Sequence, residues 1–135
     1  MRKNTLKLLC MLLCVVISLA IVGCVSTVKI DGDYVVITAN AKNVEENATL
    51  LQYMEYLKEE GKLEYEISDG MITSINGKEG STNQYWMLYT SDAENSNSAW
   101  GNCEYQDEIY NSASLGAEEL KIKDGCIYIW YLQTF

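Results

Sequence analysis

The clearest alternation of apolar and polar residues lies in the middle of the chain. Leu63, Tyr65 and Ile67 alternate with two glutamates, and this period of two is typical of a half-buried strand. Asp69-Gly70 follows at once, and this dipeptide favours the tight turn of a β-hairpin because both positions tolerate a positive φ. The pattern therefore predicts a hairpin whose return strand is Met71–Ile75, with a second turn signal directly after it.

Three further strands are predicted by runs of β-branched and aromatic residues. Tyr34–Thr38 is a β-branched run and is predicted to form the first strand. Tyr85–Tyr89 and Cys126–Leu132 are apolar on both faces, which is typical of strands in the centre of a sheet. In the last strand Tyr128 and Trp130 share one face, and one of the two faces is expected to meet a helix.

One amphipathic helix is predicted between the first strand and the hairpin. Leu50, Met54 and Leu57 recur at helical spacing, and Thr49 with Gln52 fits a capping box, although a similar start exists one turn earlier. Gly61 is a natural residue just beyond the helix C-terminus. We interpret the apolar face of the helix as its packing surface against the sheet.

The order of these elements resembles the small domain at the C-terminus of transcobalamin-type proteins, which also occurs alone in bacterial surface proteins. The helix is followed by LEYEISDGMITSING, then YWMLYT, then KDGCIYIWYLQTF, and the resemblance covers roughly Asn43 to Phe135. It implies an α+β, β-grasp-like fold with one helix held against a mixed sheet. It also implies a half-site for cobalamin, although a fold does not by itself fix a function.

The first residues of the chain read as a bacterial lipoprotein signal. Arg2, Lys3 and Lys7 precede a long apolar run, and Gly23 followed by Cys24 fits a lipobox in which the cysteine is diacylated. The alternative is an uncleaved membrane anchor, because the apolar stretch is close to the ~20 residues that span a bilayer. Both interpretations place the domain outside the cytoplasmic membrane, and the lipoprotein is favoured.

The expected organisation is a signal peptide over 1–23, a lipidated tether over 24–33 and one domain over 34–135. Cleavage changes the formal charge from −9 to −12, because three cations leave with the signal and every Asp and Glu lies beyond it. An acidic domain repels phosphate backbones and anionic headgroups, so nucleic acid is not an expected partner. Contact with the membrane is expected through the lipid anchor.

Two cysteines remain after the signal and the lipidated residue are set aside. Export would allow Cys103 and Cys126 to form a disulfide. The alternative is two separate small residues in the core, and their spacing does not match a metal site.

The segment after Thr90 is predicted to be a solvated loop. Its acidic and amide residues do not match a calcium-binding loop, because Asn97 stands where glycine is required and Cys103 where glutamate is required. Trp100 in this loop either folds back over the edge of the core or stands out to grip a partner, and the first arrangement is the commoner one. Ile109-Tyr110 is expected to be a short edge strand.

The composition argues against an enzyme. The chain has no histidine, which removes the usual general base, the Ser-His and Cys-His nucleophiles and most zinc and iron sites. No glycine-rich phosphate loop is present, and the carboxylates fall on outward-facing positions. We therefore expect no catalytic residue and no metal site. A small hydrolase remains the least favoured alternative.

Binding is the function that the composition favours. Ten tyrosines and three tryptophans offer large amphipathic surfaces, although a small sheet also needs many of them for its core. The candidate ligand-binding residues are Tyr85, Trp86, Tyr89 and Trp100. The expected ligand is a corrinoid such as cobalamin or another bulky small molecule. The alternative is an interaction module that adds a strand edge or an aromatic face to an envelope protein.

Overall fold

The computed structural model describes residues 27–135. The predicted signal peptide, the lipidation site Cys24 and the first residues of the tether lie outside this part of the chain. Nine strands and one α-helix follow in chain order. The strands are β1 (Val28–Asp31), β2 (Tyr34–Thr38), β3 (Tyr65–Ser68), β4 (Met71–Ile75), β5 (Lys78–Glu79), β6 (Gln84–Thr90), β7 (Ser96–Tyr105), β8 (Glu108–Ala113) and β9 (Ile127–Thr134), and the helix is α1 (Leu50–Glu59).

Six strands form one sheet in the order β1-β2-β9-β6-β8-β7, and β3, β4 and β5 form a second, smaller sheet. The α+β class with one helix packed on a sheet is confirmed, as is the central position of the last strand. The prediction of a mixed sheet is wrong, because every pair of described strands runs antiparallel. Short turns, which can join only antiparallel neighbours, account for the β1–β2, β3–β4, β4–β5 and β7–β8 pairs. Longer connections join the other neighbouring pairs of the large sheet, and these pairs also run antiparallel.

Helix α1 begins and ends where the sequence signals predicted. The Thr49 side chain accepts a hydrogen bond from the backbone N–H of Gln52, whose own side chain accepts from the Thr49 N–H. These reciprocal bonds satisfy two of the N–H groups that a helix leaves free at its start. Gly61 has a φ of 72° and ends the helix in the left-handed region.

The predicted hairpin is confirmed as β3 and β4, and both of its turn signals adopt the expected backbone. Asp69 and Gly70 have φ values of 52° and 77°, and Asn76 and Gly77 have values of 49° and 79°. The second turn leads into β5, a two-residue strand that the sequence did not reveal. The small sheet packs against α1, and its residues Tyr65, Ile72 and Ile75 are buried in the same cluster as the helix residues.

Three predictions about the remaining chain are corrected. The segment expected to be a tether contains β1, which pairs with β2 along its whole length. The expected loop after Thr90 contains most of β7, whose pairing with β8 is interrupted between Asn97 and Asn102. Strand β8 is longer than expected and is not an edge strand, because it lies between β6 and β7.

The large sheet buries a different cluster on each face. The first cluster joins α1 and the small sheet to residues such as Ile37, Leu88 and Tyr128. The second cluster, which we call the tyrosine face, contains Val36, Tyr89, Cys103, Tyr105 and Ile129 at its centre, with Tyr34, Met87, Tyr110, Ile127 and Tyr131 packed around it.

The large sheet curls around the tyrosine face, so that its two edges approach each other. The Tyr105 hydroxyl on β7 donates to the Asp31 carboxylate at the end of β1 over 3.1 Å. The Tyr34 hydroxyl on β2 donates to the backbone oxygen of Glu104 on β7, also over 3.1 Å. Lys29 on β1 lies over the Tyr105 ring. The curl gives the tyrosine face the form of a partly closed barrel.

Candidate functional site

A groove of about 330 Å³ runs between the β3–β4 hairpin and the start of β6. This volume is at the lower end of the range for ligand pockets, about 300–1,000 Å³. Its apolar lining consists of Met71, Ile72, Tyr85 and Trp86. Its polar lining includes Ser68, Asp69, Thr73, Ser81 and Gln84. The groove therefore presents aromatic and aliphatic surface beside neutral hydrogen-bonding groups and one carboxylate.

One side of the groove depends on a close approach that only glycine permits. The Gly80 N–H donates to the Thr73 oxygen over 3.1 Å, and the Ser81 N–H donates to the Gln84 oxygen over 3.0 Å. A Cβ on Gly80 would lie 2.7 Å from that Gln84 oxygen. Because this distance is too short for any real contact between these atoms, a side chain here would force the loop and β6 apart.

Trp86 is a fixed part of the groove. Its side chain is buried, and its indole N–H donates to the backbone oxygen of Lys78 on β5 over 2.9 Å. This bond satisfies the one polar atom of the side chain, as a buried tryptophan requires. Trp86 therefore joins β6 to the small sheet at the groove.

The open rim of the groove is apolar. Met71 is 61% exposed and Tyr85 is 45% exposed. The Phe135 ring lies against the Tyr85 ring with 5.8 Å between their centroids, and it is itself 68% exposed. The Tyr85 hydroxyl donates to the Thr82 oxygen over 3.2 Å, which fixes the orientation of the ring. Large apolar side chains left exposed together at a cleft are typical of a binding surface.

The four candidate residues do not form one site. Tyr85 and Trp86 line the groove. Tyr89 is buried on the tyrosine face, where its hydroxyl donates to the Gln133 side chain. Strand alternation separates Trp86 from Tyr89, because residues three apart on one strand point to opposite faces. It does not separate Tyr85 from Tyr89, which are four apart and share a face.

Trp100 lies two strands away from the groove, on β7 with β8 between it and β6. The interpretation that it covers the edge of the core is wrong, because its side chain is 65% exposed. The cause is the interruption in the β7–β8 pairing, which leaves the residues around Trp100 unpaired with β8. Gly101, with a φ of 116°, supplies a backbone conformation that this excursion needs.

Cys103 and Cys126 are not bonded to each other. Cys103 lies in the tyrosine face, whereas Cys126 packs against the cluster on the helix side. Since the sheet separates the two thiols, the alternative of two separate core residues describes them. Burial raises the pKa of the Cys103 thiol to about 11, which makes it a poor nucleophile at neutral pH.

The most buried carboxylate of the described chain is held in a structural network. Asp92 accepts from Lys123 Nζ and Asn95 Nδ2, both over 2.8 Å, and from the Glu94 N–H over 3.1 Å. Burial alone would raise the pKa of Asp92, but these hydrogen bonds together lower it below its usual value. Lys123 also pairs with the Glu94 carboxylate at 2.7 Å. A carboxylate so fully engaged is ionised and is not poised as an acid or base.

Among residues 27–135 no group of three or more His, Cys, Asp or Glu side chains is placed to hold a metal ion. The same part of the chain contains no helix that is long and apolar enough to cross a membrane. Comparison with models of protein families, with curated proteins and with solved structures found no match to this chain.

Proposed function

We propose that this protein is a lipid-anchored extracellular lipoprotein whose domain binds a bulky small molecule without chemical change. The observation that supports this most directly is the groove between the β3–β4 hairpin and β6, with its apolar rim of Met71, Tyr85 and Phe135. Binding there would remove exposed apolar surface from water, at about 25 cal/mol per Å². The neutral groups of the lining would orient the ligand.

The ligand class that we propose is a corrinoid or a similar flat amphipathic molecule. The support is the resemblance to transcobalamin-type C-terminal domains, with a helix, a hairpin and two central strands in the same order. We also propose that the fold is β-grasp-like, except that its sheet is antiparallel rather than mixed. A groove of about 330 Å³ is smaller than a whole corrinoid, so only one edge of the ligand would enter it. Such a half-site binds weakly unless a partner covers the rest.

The anchoring proposal rests on the lipobox around Cys24 and on the position of β1. If Cys24 is the first residue after processing, only two residues separate it from Thr27, where the described chain begins. A chain extends at most about 3.6 Å per residue, so Thr27 would lie within roughly 11 Å of the lipidated residue. The domain would then stand directly at the membrane surface, outside the cytoplasmic membrane.

The proposal that binding is not catalytic rests on the composition of the groove. Asp69 is the only carboxylate that lines it, so no pair of acidic groups flanks a bound molecule. The chain also lacks histidine, which removes the most common general base.

The test is isothermal titration of the full chain in a mild non-ionic detergent with cyanocobalamin, with micelles alone as the blank. We expect saturable heat with an affinity in the upper micromolar to millimolar range. The variant Met71→Ala removes apolar surface from the rim and should weaken binding about fivefold. Ile109→Ala is the matched control, since Ile109 is 66% exposed but lies on β8, away from the groove.

Two results would contradict the proposal. Absence of saturable heat up to millimolar cyanocobalamin would remove the corrinoid. Equal weakening by Met71→Ala and Ile109→Ala would show that any binding occurs outside the groove.

A second candidate function is an interaction module for another envelope protein, and Trp100 favours it. β7 is an edge strand of the large sheet, and the exposed indole of Trp100 stands at the interruption of its pairing. Edge strands offer free backbone groups to a partner, and exposed tryptophans are frequent anchors of interfaces. The test is chemical cross-linking on intact cells, in which the partners captured by the parent protein are compared with those captured by the Trp100→Ala variant. Loss of a specific cross-linked partner supports this function, and an unchanged pattern contradicts it.

A further inference from the structure

A second cavity, of about 240 Å³, lies at one mouth of the curled sheet, on the tyrosine face. Strand register places this mouth at the opposite end of the large sheet from the groove. Trp86 of the groove pairs with Leu132 near the end of β9, whereas Ile127 of the cavity is the first residue of β9. The groove and the cavity therefore share no lining residue and open at opposite ends of the large sheet. Mouths of β-barrels are common positions for ligand sites.

We call this second cavity the mouth cavity. Its floor is apolar, and its walls carry polar side chains that form few contacts with the rest of the described chain. Val36 and Ile127 form part of the floor. Lys29, Thr38, Gln106 and Tyr110 contribute to the walls. In the part of the chain that the structure describes, the Tyr110 and Thr38 hydroxyls form no hydrogen bond, and the Lys29 ammonium contacts only the Tyr105 ring.

The rim of the cavity includes a turn whose backbone is unusual for its residues. Gln106 and Asp107, which connect β7 to β8, have φ values of 50° and 63°. Glycine and asparagine occupy such positions most readily, and glutamine costs more. The Gln106 amide lies at the cavity, where it donates to the Tyr105 hydroxyl over 3.5 Å. The two-residue turn requires these φ values, and strained positions of this kind also occur at ligand sites.

We propose that the mouth cavity is a second binding site, and that it takes one neutral, hydroxyl-rich ring such as a hexose unit. The volume is below the range for drug-sized ligands and suits about one ring. The C–H face of a sugar would cover the apolar floor. Its hydroxyls would meet the Thr38 and Tyr110 hydroxyls, the Gln106 amide and the Lys29 ammonium. These groups include both donors and acceptors, which is the complement that a polyhydroxyl ring requires.

The test is an NMR titration of the ¹⁵N-labelled full chain in detergent micelles with methyl β-D-glucopyranoside. We expect saturable shifts of the Gln106 side-chain amide and of the backbone amides of Thr38 and Ile127, with a dissociation constant on the order of millimolar. Sorbitol, an open-chain polyol, is the control for unspecific effects of hydroxyl groups. Methyl β-D-glucuronide tests whether Lys29 selects a carboxylate instead.

Two variants locate the site, and both are expected to fold as the parent does. Tyr110→Phe removes a hydroxyl that has no partner among residues 27–135, and Gln106→Gly removes the amide while relieving the backbone. Each should weaken glucoside binding about three- to tenfold. Tyr56→Phe on α1 is the matched control and should leave the affinity unchanged.

The proposal is overturned by shifts that grow linearly without saturation or that sorbitol reproduces. It is also overturned if the glucuronide alone binds, or if Tyr110→Phe and Tyr56→Phe bind equally well. Titration with cyanocobalamin reports on the groove and is independent of all these outcomes.

Discussion

The buried carboxylate of Asp92 accepts several hydrogen bonds, and their contribution to stability can be measured. The side chain is only 3% exposed, and it caps the short 3-10 turn at 93–95 by accepting from the Glu94 N–H. It also accepts from Asn95 and Lys123, so the substitution Asp92→Asn removes the charge and sets an amide N–H against these donors. Hydrogen bonds to charged groups contribute about 1.5–3 kcal/mol, but asparagine avoids the cost of burying a charge. We therefore expect a loss of about 1.5 kcal/mol at neutral pH.

The measurement is urea denaturation of the full chain followed by circular dichroism. With a slope near 2 kcal/mol per molar urea, the midpoint should fall by roughly 0.7 M. Glu94→Gln is the matched control, because the Glu94 carboxylate pairs with the same Lys123 but its side chain is 83% exposed. An exposed pair contributes about 0–1 kcal/mol, so the control should move the midpoint little.

The contribution of Asp92 to the stability of the fold should depend on pH. The folded-state pKa is lowered, so this carboxylate stabilises the fold above its unfolded value of about 3.9. The contribution is lost as the pH falls through the folded-state pKa. The gap between the parent and Asp92→Asn should therefore narrow in acid, while other carboxylates titrate equally in both. A gap that stays constant, or a midpoint shift no larger than that of Glu94→Gln, would refute the reasoning.

Three further predictions concern the groove, the helix cap and the thiols. Gly80→Ala should destabilise the fold by about 1–3 kcal/mol, because its Cβ would meet a backbone oxygen at 2.7 Å. Gly116→Ala, which meets nothing within 4 Å, should be neutral or slightly stabilising, and equal urea midpoints for the two variants would contradict this. Thr49→Ala removes the helix cap and should lower the free energy of unfolding by about 1 kcal/mol, and an unchanged midpoint would show that the cap is dispensable. Cys103, with a pKa of about 11, should resist iodoacetamide at pH 8 while the half-buried Cys126 reacts, and peptide mapping by mass spectrometry would detect the reverse order.

Local sequence signals were sufficient where a residue pattern fixes the backbone by itself. The alternation of Leu63, Tyr65 and Ile67 with the turn Asp69-Gly70 predicted the hairpin, and Thr49 predicted the start of α1. These signals act over a few residues. The alternation holds for Leu63 and Tyr65, but a bulge after Glu66 leaves Ile67 39% exposed. The central position of β9 followed from its apolar residues on both faces.

The edge strand β7 was missed because its composition is that of a loop. Ser, Asn and Gly make up most of its first seven residues, and only Cys103 and Tyr105 turn inward to the tyrosine face. The following turn uses Gln106 and Asp107, which lack the glycine that usually marks a tight hairpin. Contacts between distant segments, rather than local preference, stabilise this part of the sheet.

The sequence predicted only one wall of the groove, because the other wall depends on contacts between distant segments. Tyr85 and Trp86 were identified as aromatic residues on a central strand, and both line the groove. The opposite wall comes from Met71 and Ile72 on the hairpin, which meet β6 only through the tertiary fold. The mouth cavity joins β1 and β2 to the β7–β8 turn, and no pattern along the chain indicates that these segments meet.

The position of β9 between β2 and β6 has a consequence for how the chain folds. Among the described strands, β9 alone links the β1–β2 pair to the rest of the large sheet. Closing the β2–β9 pair brings together segments separated by most of the domain, and such distant pairings fold slowly. Until β9 arrives, β2 and β6 each present an unpaired apolar edge that invites aggregation. During synthesis, the large sheet can therefore close only after β9 has emerged.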